Sequence, residues 1–196
     1  MNRTSTSPST SIWQGTRVRL RAIEPADWET YFAWNQDDEM TRALYFIPFP
    51  QSQESVKRFA EQAALQRPEE DNFRFVIENN EQEVVGDITT HHCDQHSGNF
   101  SWGVNIIEEH RRKGYASEAL PLVMRYYFQE LRYQKVTVHI ASFNEASIKL
   151  HERLGFQQEG CIRRTIYTDG QYFDNLVYGL TKEEFAARHG NIPIQA

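Results

Sequence analysis

Arg111-Arg112-Lys113-Gly114-Tyr115-Ala116-Ser117 stands between an apolar extended run and an amphipathic helical pattern, and it decides the fold. A strand that feeds a glycine turn and then opens a helix presents unpaired backbone N–H groups at the positive end of the helix dipole. Such a constellation holds phosphate without carboxylates or metals. Gly114 lets the backbone approach closely, and Arg111, Arg112 and Lys113 add positive charge. Alone, the segment specifies an anion site and nothing narrower.

Working outward, residues 99–107 read as the strand that enters the turn. Ala116, Ala119, Leu120, Val123, Tyr127 and Leu131 form the buried stripe of the helix that leaves it. Pro121 inside that helix is expected to cost an intrahelical bond or to bend its first turns. Val136, Val138 and Ile140 alternate as a further strand, and a helix from Glu145 to Leu154 stops at Gly155. On the N-terminal side, Val18, Leu20 and Ala22 alternate with Arg17, Arg19 and Arg21. Pro25 opens a helix with Trp28, Tyr31 and Phe32 on one face, and Ser52 caps another that buries Val56, Phe59, Ala60 and Ala63. Pro68 and the acidic residues after it end that second helix. Residues 73–78 and 84–89 pair as a hairpin around 79–82, and two last strand candidates flank Asp169-Gly170. Residues 1–11, mostly Ser, Thr, Asn and Pro, read as a disordered leader. Residues 12–185 then make one α/β domain, followed by a tail at 186–196.

Composition supports that division. A chain of 196 residues buries roughly 70% of its unfolded surface and needs no staple. Its two cysteines, Cys93 and Cys161, form no framework and suit a reducing, cytoplasmic setting. No stretch has the length and apolarity of a membrane span, so no membrane partner is expected. The net charge of −6 argues against a general nucleic-acid binder and is compatible with a cationic amine.

Three pieces in order carry a resemblance: Arg111-x-x-Gly114-x-Ala116, then Asn144-Glu145-Ala146-Ser147-Ile148, then Leu150-His151-Glu152-Arg153-Leu154-Gly155-Phe156. Together they resemble the GNAT superfamily of acyl-CoA-dependent N-acetyltransferases, over about residues 13 to 185. With the closing Gly170, Asp174 and Tyr178, they are most similar to the branch of ribosomal-protein N-terminal acetyltransferases. The resemblance implies a three-layer α/β (α+β) fold. Its central mixed, mostly antiparallel sheet has about seven strands, splayed between the fourth and fifth, with helices flanking. The strands at 99–107 and 135–141 would be those two. It also implies acetyl-CoA as donor. Backbone groups of Val104, Asn105 and Ile106 would pair with the pantetheine arm. Those of Arg112, Lys113, Gly114, Tyr115, Ala116 and Ser117, with Arg111, would hold the pyrophosphate. Asn144 would bind the pantetheine or phosphate region.

Transfer to an amine requires a neutral nucleophile, an oxyanion donor and a proton for the leaving thiolate. A backbone N–H near Ile106 is the expected oxyanion donor. His151 occupies the position where many family members carry a proton-donating Tyr, and it could act near neutral pH or be an idle helix histidine. Ser101 stands where many relatives of the ribosomal type carry a Glu, so either a water relay from Ser101 or deprotonation of a weakly basic amine before binding is expected to replace a carboxylate base. Glu108 and Glu109 read as solvated charges. His91, His92, Cys93 and His96 read as a polar loop between strands, because neighbours on a strand point to opposite faces; no metal is expected. Tyr45-Phe46-Ile47-Pro48-Phe49-Pro50 either lines the acceptor site or plugs the core. Asp169, Tyr172 and Asp174 either meet a cationic acceptor or serve the turn. The implied partner is an amine, on a protein N-terminus or a small molecule, with the chain a monomer or homodimer. The competing reading is an acyl-CoA-binding sensor of the same fold without turnover. A nucleotide-binding loop fits less well, since the segment lacks the Lys-Ser/Thr ending and the Gly-x-Gly-x-x-Gly pattern.

Overall fold

Seven strands form one sheet in the order β1-β2-β3-β4-β5-β7-β6. They are β1 (Val18–Arg21), β2 (Arg74–Asn79), β3 (Val84–Asp94), β4 (Asn99–Ile106), β5 (Lys135–Ala141), β6 (Gln157–Thr168) and β7 (Gln171–Thr181). The structure, a computed structural model, describes residues 11–43, 47–67 and 70–190. The expected leader up to residue 10, Tyr45 and Phe46 of the aromatic stretch, and the stop signal at Pro68 lie outside them.

Every neighbouring pair is antiparallel except β4 and β5, which run parallel. That exception positions the site. β4 and β5 are in register only at Asn99↔Lys135 and Phe100↔Val136, after which they part. The sheet is therefore splayed between its fourth and fifth strands, as the resemblance implied.

Among the described residues six helices flank the sheet: α1 (Trp28–Trp34), α2 (Asp38–Ala43), α3 (Gln53–Leu65), α4 (Tyr115–Gln129), α5 (Glu145–Leu154) and α6 (Lys182–His189). One face is sealed by α4, whose Ala119, Leu120, Val123, Met124, Tyr127 and Phe128 pack on Ile77, Ile88, Phe100, Trp102 and Val136. Pro121 does not interrupt α4, because this apolar stripe outweighs the one bond a proline forgoes. The opposite face carries a smaller cluster of Ile23, Tyr31, Trp34, Met40, Val56, Ala60 and Val76 under α1 and α3.

Local signals explain most boundaries. Pro25 starts a short 3-10 turn that leads into α1, and Ser52 Oγ accepts the Ser55 N–H (3.1 Å) at the start of α3. Asp169 (φ 52°) and Gly170 (φ 72°) make the two-residue turn between Thr168 and Gln171, the left-handed pair that suits strand twist. Two elements were not expected. α2 lies between the first helix and the aromatic stretch. α6 opens on a capping box at Thr181 and Glu184 and buries Phe185, so helix runs through residue 185 to His189. One expectation is corrected. β3 extends to Asp94, so His91, His92 and Cys93 lie on a strand, and the turn that follows begins after Asp94. His91 pairs with Ser101 and Asp94 with Asn99, and His92 (φ 52°) and Cys93 bulge between those two pairs.

Candidate active site

The loop between β4 and α4 is built from two left-handed residues, Arg112 (φ 62°) and Gly114 (φ 84°), followed by the first turn of α4. Among the described residues, no acceptor takes the N–H groups of Arg112, Lys113, Gly114, Tyr115, Ala116 or Ser117; the first helical bond runs from the Glu118 N–H to the Gly114 carbonyl (3.2 Å). Six adjacent donors at a helix N-terminus form an anion cradle.

Side chains around the cradle divide unexpectedly. Arg112 and Lys113 are exposed. Arg111 turns inward: its Nε donates to the Ile106 carbonyl (3.2 Å) and its Nη1 to Glu39 of α2 (3.1 Å). A guanidinium so engaged straps the end of β4 to α2. A further cation that no motif marks, Arg17, stands beside Gly114. Arg17 Nη1 donates to the Lys113 carbonyl (3.0 Å), and a Cβ added at Gly114 would stand 2.9 Å from that nitrogen. Glu118 fixes Arg17 there, accepting from its Nε and its N–H (2.9 Å each) and from the Thr16 N–H.

The strand leading to the cradle offers unpaired backbone. The Ile107 N–H donates to the Val85 carbonyl (3.0 Å), so in the alternating ladder Ser101, Gly103 and Asn105 turn their polar atoms to β3. Trp102, Val104 and Ile106 turn theirs into the gap beyond the last β4–β5 pair, where, among the described residues, only the Ile106 carbonyl already has a partner, Arg111 Nε. Val104 and Ile106 are thus where the expectation put them. Asn105 is not: its backbone faces β3 and its side chain donates to Asp87 (3.2 Å) on the other face of the sheet. Asn144 lies just past β5, and its Oδ1 caps α5 by accepting the Ser147 N–H (3.0 Å).

His151 is 2% exposed, with both ring nitrogens engaged. Trp102 Nε1–H, which can only donate, gives its proton to His151 Nε2 (3.1 Å). Nδ1 must then carry the hydrogen, and it donates to the Ser147 carbonyl (2.8 Å). Burial pushes the imidazole pKa down to about 4, only partly offset by that bond. The neutral ring is thus held in one tautomer, with its Nδ1–H directed at a backbone carbonyl and its Nε2 covered by Trp102.

The face opposite α4 holds the polar side chains. Ser101 is buried there directly across from His91, whose pKa is lowered by burial and by His92 and His139. Gly103 is across from Thr89, and nothing lies within 4 Å of where its Cβ would stand. Asp87, across from Asn105, is 4% exposed. Above this face, α2 connects the two halves of the sheet through Glu39 to Arg111 and through Arg42 to Thr168 (3.2 Å) and Asp169 (3.5 Å).

The other candidates fall outside the centre. Asp169 is engaged with Arg42, and Asp174 accepts the Arg164 N–H (2.9 Å) in the β6–β7 hairpin. Phe49 is 94% exposed, which removes it from the core. Glu108 and Glu109 face solvent. Burial raises the Cys93 thiol to about 11 and Cys161 is also raised, so neither is an activated nucleophile. No group of three or more metal-ligating side chains occurs among the described residues, and no helix among them is long and apolar enough to cross a membrane.

Residues 17–157, which hold the splayed β4/β5 pair and the cradle, match the family model for the acetyltransferase (GNAT) domain. The chain belongs to the GNAT family. It is an N-acetyltransferase by relationship, an enzyme class that moves an acetyl group to an amine. The chain is 39% identical to the SPbeta prophage-derived uncharacterized N-acetyltransferase YokL of Bacillus subtilis (strain 168) over 180 residues, covering 92% of this chain and 98% of that protein. It is 34% identical to the putative ribosomal N-acetyltransferase YdaF of the same organism over 102 residues, 52% of this chain and 56% of that one. Among solved structures, the spermidine N-acetyltransferase of Vibrio cholerae in complex with CoA and spermine superposes with a TM-score of 0.77 at 20% identity, over 87% of this chain and 99% of that one. That likeness is one of fold.

Proposed function

We propose that this protein binds acetyl-CoA in the gap between β4 and β5 and passes its acetyl group directly to a primary amine in a ternary complex. The observation that carries this is the coincidence, at one end of the sheet, of unpaired strand backbone and six free N–H donors. The pyrophosphate would sit on Arg112 to Ser117, with Arg17 and Lys113 supplying charge. The pantetheine arm would continue along β4 as an added strand on the polar groups of Ile106 and Val104, with Asn144 on the β5 side. Running from the cradle toward the point where β4 and β5 close, the thioester reaches the segment Trp102–Val104. The N–H of Val104, rather than of Ile106, then faces the developing oxyanion. Holding thioester and amine together contributes ~7–11 kcal/mol of rate in favourable cases.

The acceptor is a primary amine, on a protein N-terminus or a small molecule. Relatives named for ribosomal and for spermidine acetylation support an amine without choosing between these. Thermal unfolding with and without acetyl-CoA tests the donor. At about 100 times the dissociation constant, binding adds ~2.7 kcal/mol, which for a domain this size raises Tm by roughly 5–10 °C. A shift absent with ATP or NAD supports the proposal and justifies an amine screen; no shift refutes it. The sensor alternative draws on Ser101 standing in place of a Glu and on the locked His151. Release of CoA thiol with any amine eliminates it.

A further inference from the structure

Ser101 leaves the reaction without the carboxylate that many relatives place at that position, yet a buried carboxylate lies on the same face of the sheet. Asp87 sits on β3, across from Asn105 and diagonal to Gly103, the residue with open space above it. It is therefore beside the short stretch of β4 along which the thioester would lie. Its two oxygens have a thin set of partners: Asn105 Nδ2 at 3.2 Å and Arg74 Nη1 of β2 at 3.4 Å. An ionised carboxylate can accept about four hydrogen bonds, so half its capacity is open.

A second group points the same way. Tyr31 of α1 is 5% exposed, and its hydroxyl has no hydrogen-bond partner. Asp87, Arg74 and Asp27 all act on it, and Arg74 approaches as a donor without reaching full hydrogen-bond geometry, which places the hydroxyl beside the Asp87–Arg74 pair with its own proton unused. A buried polar atom without a partner is costly, and native structures keep one where a ligand completes it. A primary ammonium has three N–H donors. Standing over Gly103, it could donate one to Asp87 and one to the Tyr31 oxygen while its nitrogen faces the Val104 segment.

We propose that Asp87 is the general base of the acetyl transfer, acting on an acceptor that enters as an ammonium ion over Gly103 and is held there by Tyr31. This role rests on the acetyltransferase function proposed above. In the step, one Asp87 oxygen takes a proton from the ammonium, and the freed nitrogen pair forms the bond to the thioester carbon. The carbonyl pair moves onto oxygen opposite the Val104 N–H. On collapse the C–S bond breaks and its pair leaves on sulfur. A second proton passes from nitrogen to sulfur, giving the thiol, and the third stays on the amide. Asp87 returns its proton to solvent as the product departs. This route needs no proton from His151. Burial raises the Asp87 pKa above the ordinary carboxylate range, which strengthens it as a base, while Arg74 and Asn105 act against the rise.

The test compares wild type with Asp87→Asn in the full chain, measuring thiol release and the acetyl-CoA thermal shift. Loss of a positioned base lowers kcat/KM by roughly 10²–10⁴-fold. The thermal shift should stay at its wild-type value, and the acid limb of the kcat/KM pH profile should disappear. With a weakly basic acceptor such as hydroxylamine, which arrives largely neutral at pH 7.5, the deficit should shrink at least tenfold on the order expected for base catalysis. Wild-type rates in Asp87→Asn overturn the proposal. So does a deficit equal for both acceptors with the acid limb intact, the mark of a purely structural carboxylate. A wild-type protein that neither binds acetyl-CoA nor turns over any amine overturns the enzyme function as well, so the two failures are distinguishable. If Asp87→Asn does not fold, Tyr31→Phe carries the test, since it removes only the hydroxyl and keeps the packed ring. A several-fold rise in amine KM with kcat nearly unchanged is expected, and an unchanged KM refutes the ammonium site.

Discussion

Acidification should destabilise this protein through His151. In the fold the ring is held neutral down to a pKa of about 4, against 6.5 in a free chain. Below pH 6.5 the unfolded chain takes up a proton that the fold refuses until about pH 4. Stability from this site is therefore full above pH 6.5, declines across that window, and levels off below it. At 1.36 kcal/mol for each tenfold change, the loss reaches ~3 kcal/mol at the bottom and about 2 kcal/mol by pH 5. For a chain of this length that is a fall in Tm of roughly 4–8 °C between pH 7.5 and pH 5. The control is His151→Phe. It cannot titrate, but it leaves the Trp102 N–H unpaired at a cost of ~1–3 kcal/mol. Its melting temperature should start lower at pH 7.5 and change less toward pH 5. His91 and His189 are also held below their usual pKa by burial, and Asp87 is raised with the opposite sign, but all three remain in both proteins. The difference between the two profiles thus belongs to position 151. Parallel profiles from pH 7.5 to pH 4 would refute the locked neutral ring. The same variant settles catalysis: kcat within about tenfold of wild type fits a structural histidine, whereas a general acid is worth ~10²–10⁴.

Two substitutions separate the donor site from the acceptor site. Gly114→Val places a β-branched residue at φ 84° and pushes Arg17 aside, at ~1–2 kcal/mol for the left-handed backbone. It should remain folded and lose acetyl-CoA binding, and unchanged affinity in calorimetry refutes the cradle. Gly103→Val meets nothing within 4 Å and suits a strand, so stability should hold and donor affinity persist. Its amine KM should rise more than tenfold, and an unaltered KM refutes an acceptor site over Gly103.

What could be read in the sequence was whatever depends on residues close in the chain. The cradle follows from Gly114 and the helix after it, the α5 cap from Asn144 and Ser147, the β6–β7 turn from Asp169-Gly170. What could not be read depends on distant partners. The state of His151 is set by Trp102, 49 residues away, and the place of Arg17 by Glu118, 101 residues away. Asp87 stands among apolar residues in β3 and belongs to no motif; only the register that sets it beside Asn105 and near Tyr31 makes it notable. One signal was present. An acid between Val85 and Ile88, both fully buried, is costly unless something uses it. The stretch at 91–93 misled for a related reason: its polar residues resemble a loop, but pairing with β4 at His91 and Asp94 keeps them in a strand.

The parting of β4 and β5 raises a mechanical question that His151 answers. Past Phe100 and Val136 no ladder bond joins the two halves of the sheet, yet a gap that admits an added strand must keep a fixed width. The Trp102–His151 hydrogen bond crosses from β4 to α5 two residues beyond the last pair, and Phe156 packs edge-on against the imidazole at 5.0 Å. A tyrosine at this position could bring a proton to the gap. A histidine with both nitrogens engaged instead joins the two halves where the ladder stops. The consequence separates it from a catalytic acid: His151→Phe should weaken acetyl-CoA binding in step with the stability it loses, because a gap without its cross-link must be reordered by the ligand. The shortfall in binding then bounds how much of the wedge this one bond holds open. If donor affinity is untouched while kcat collapses, the histidine is an acid after all, and the neutral tautomer is not the working state.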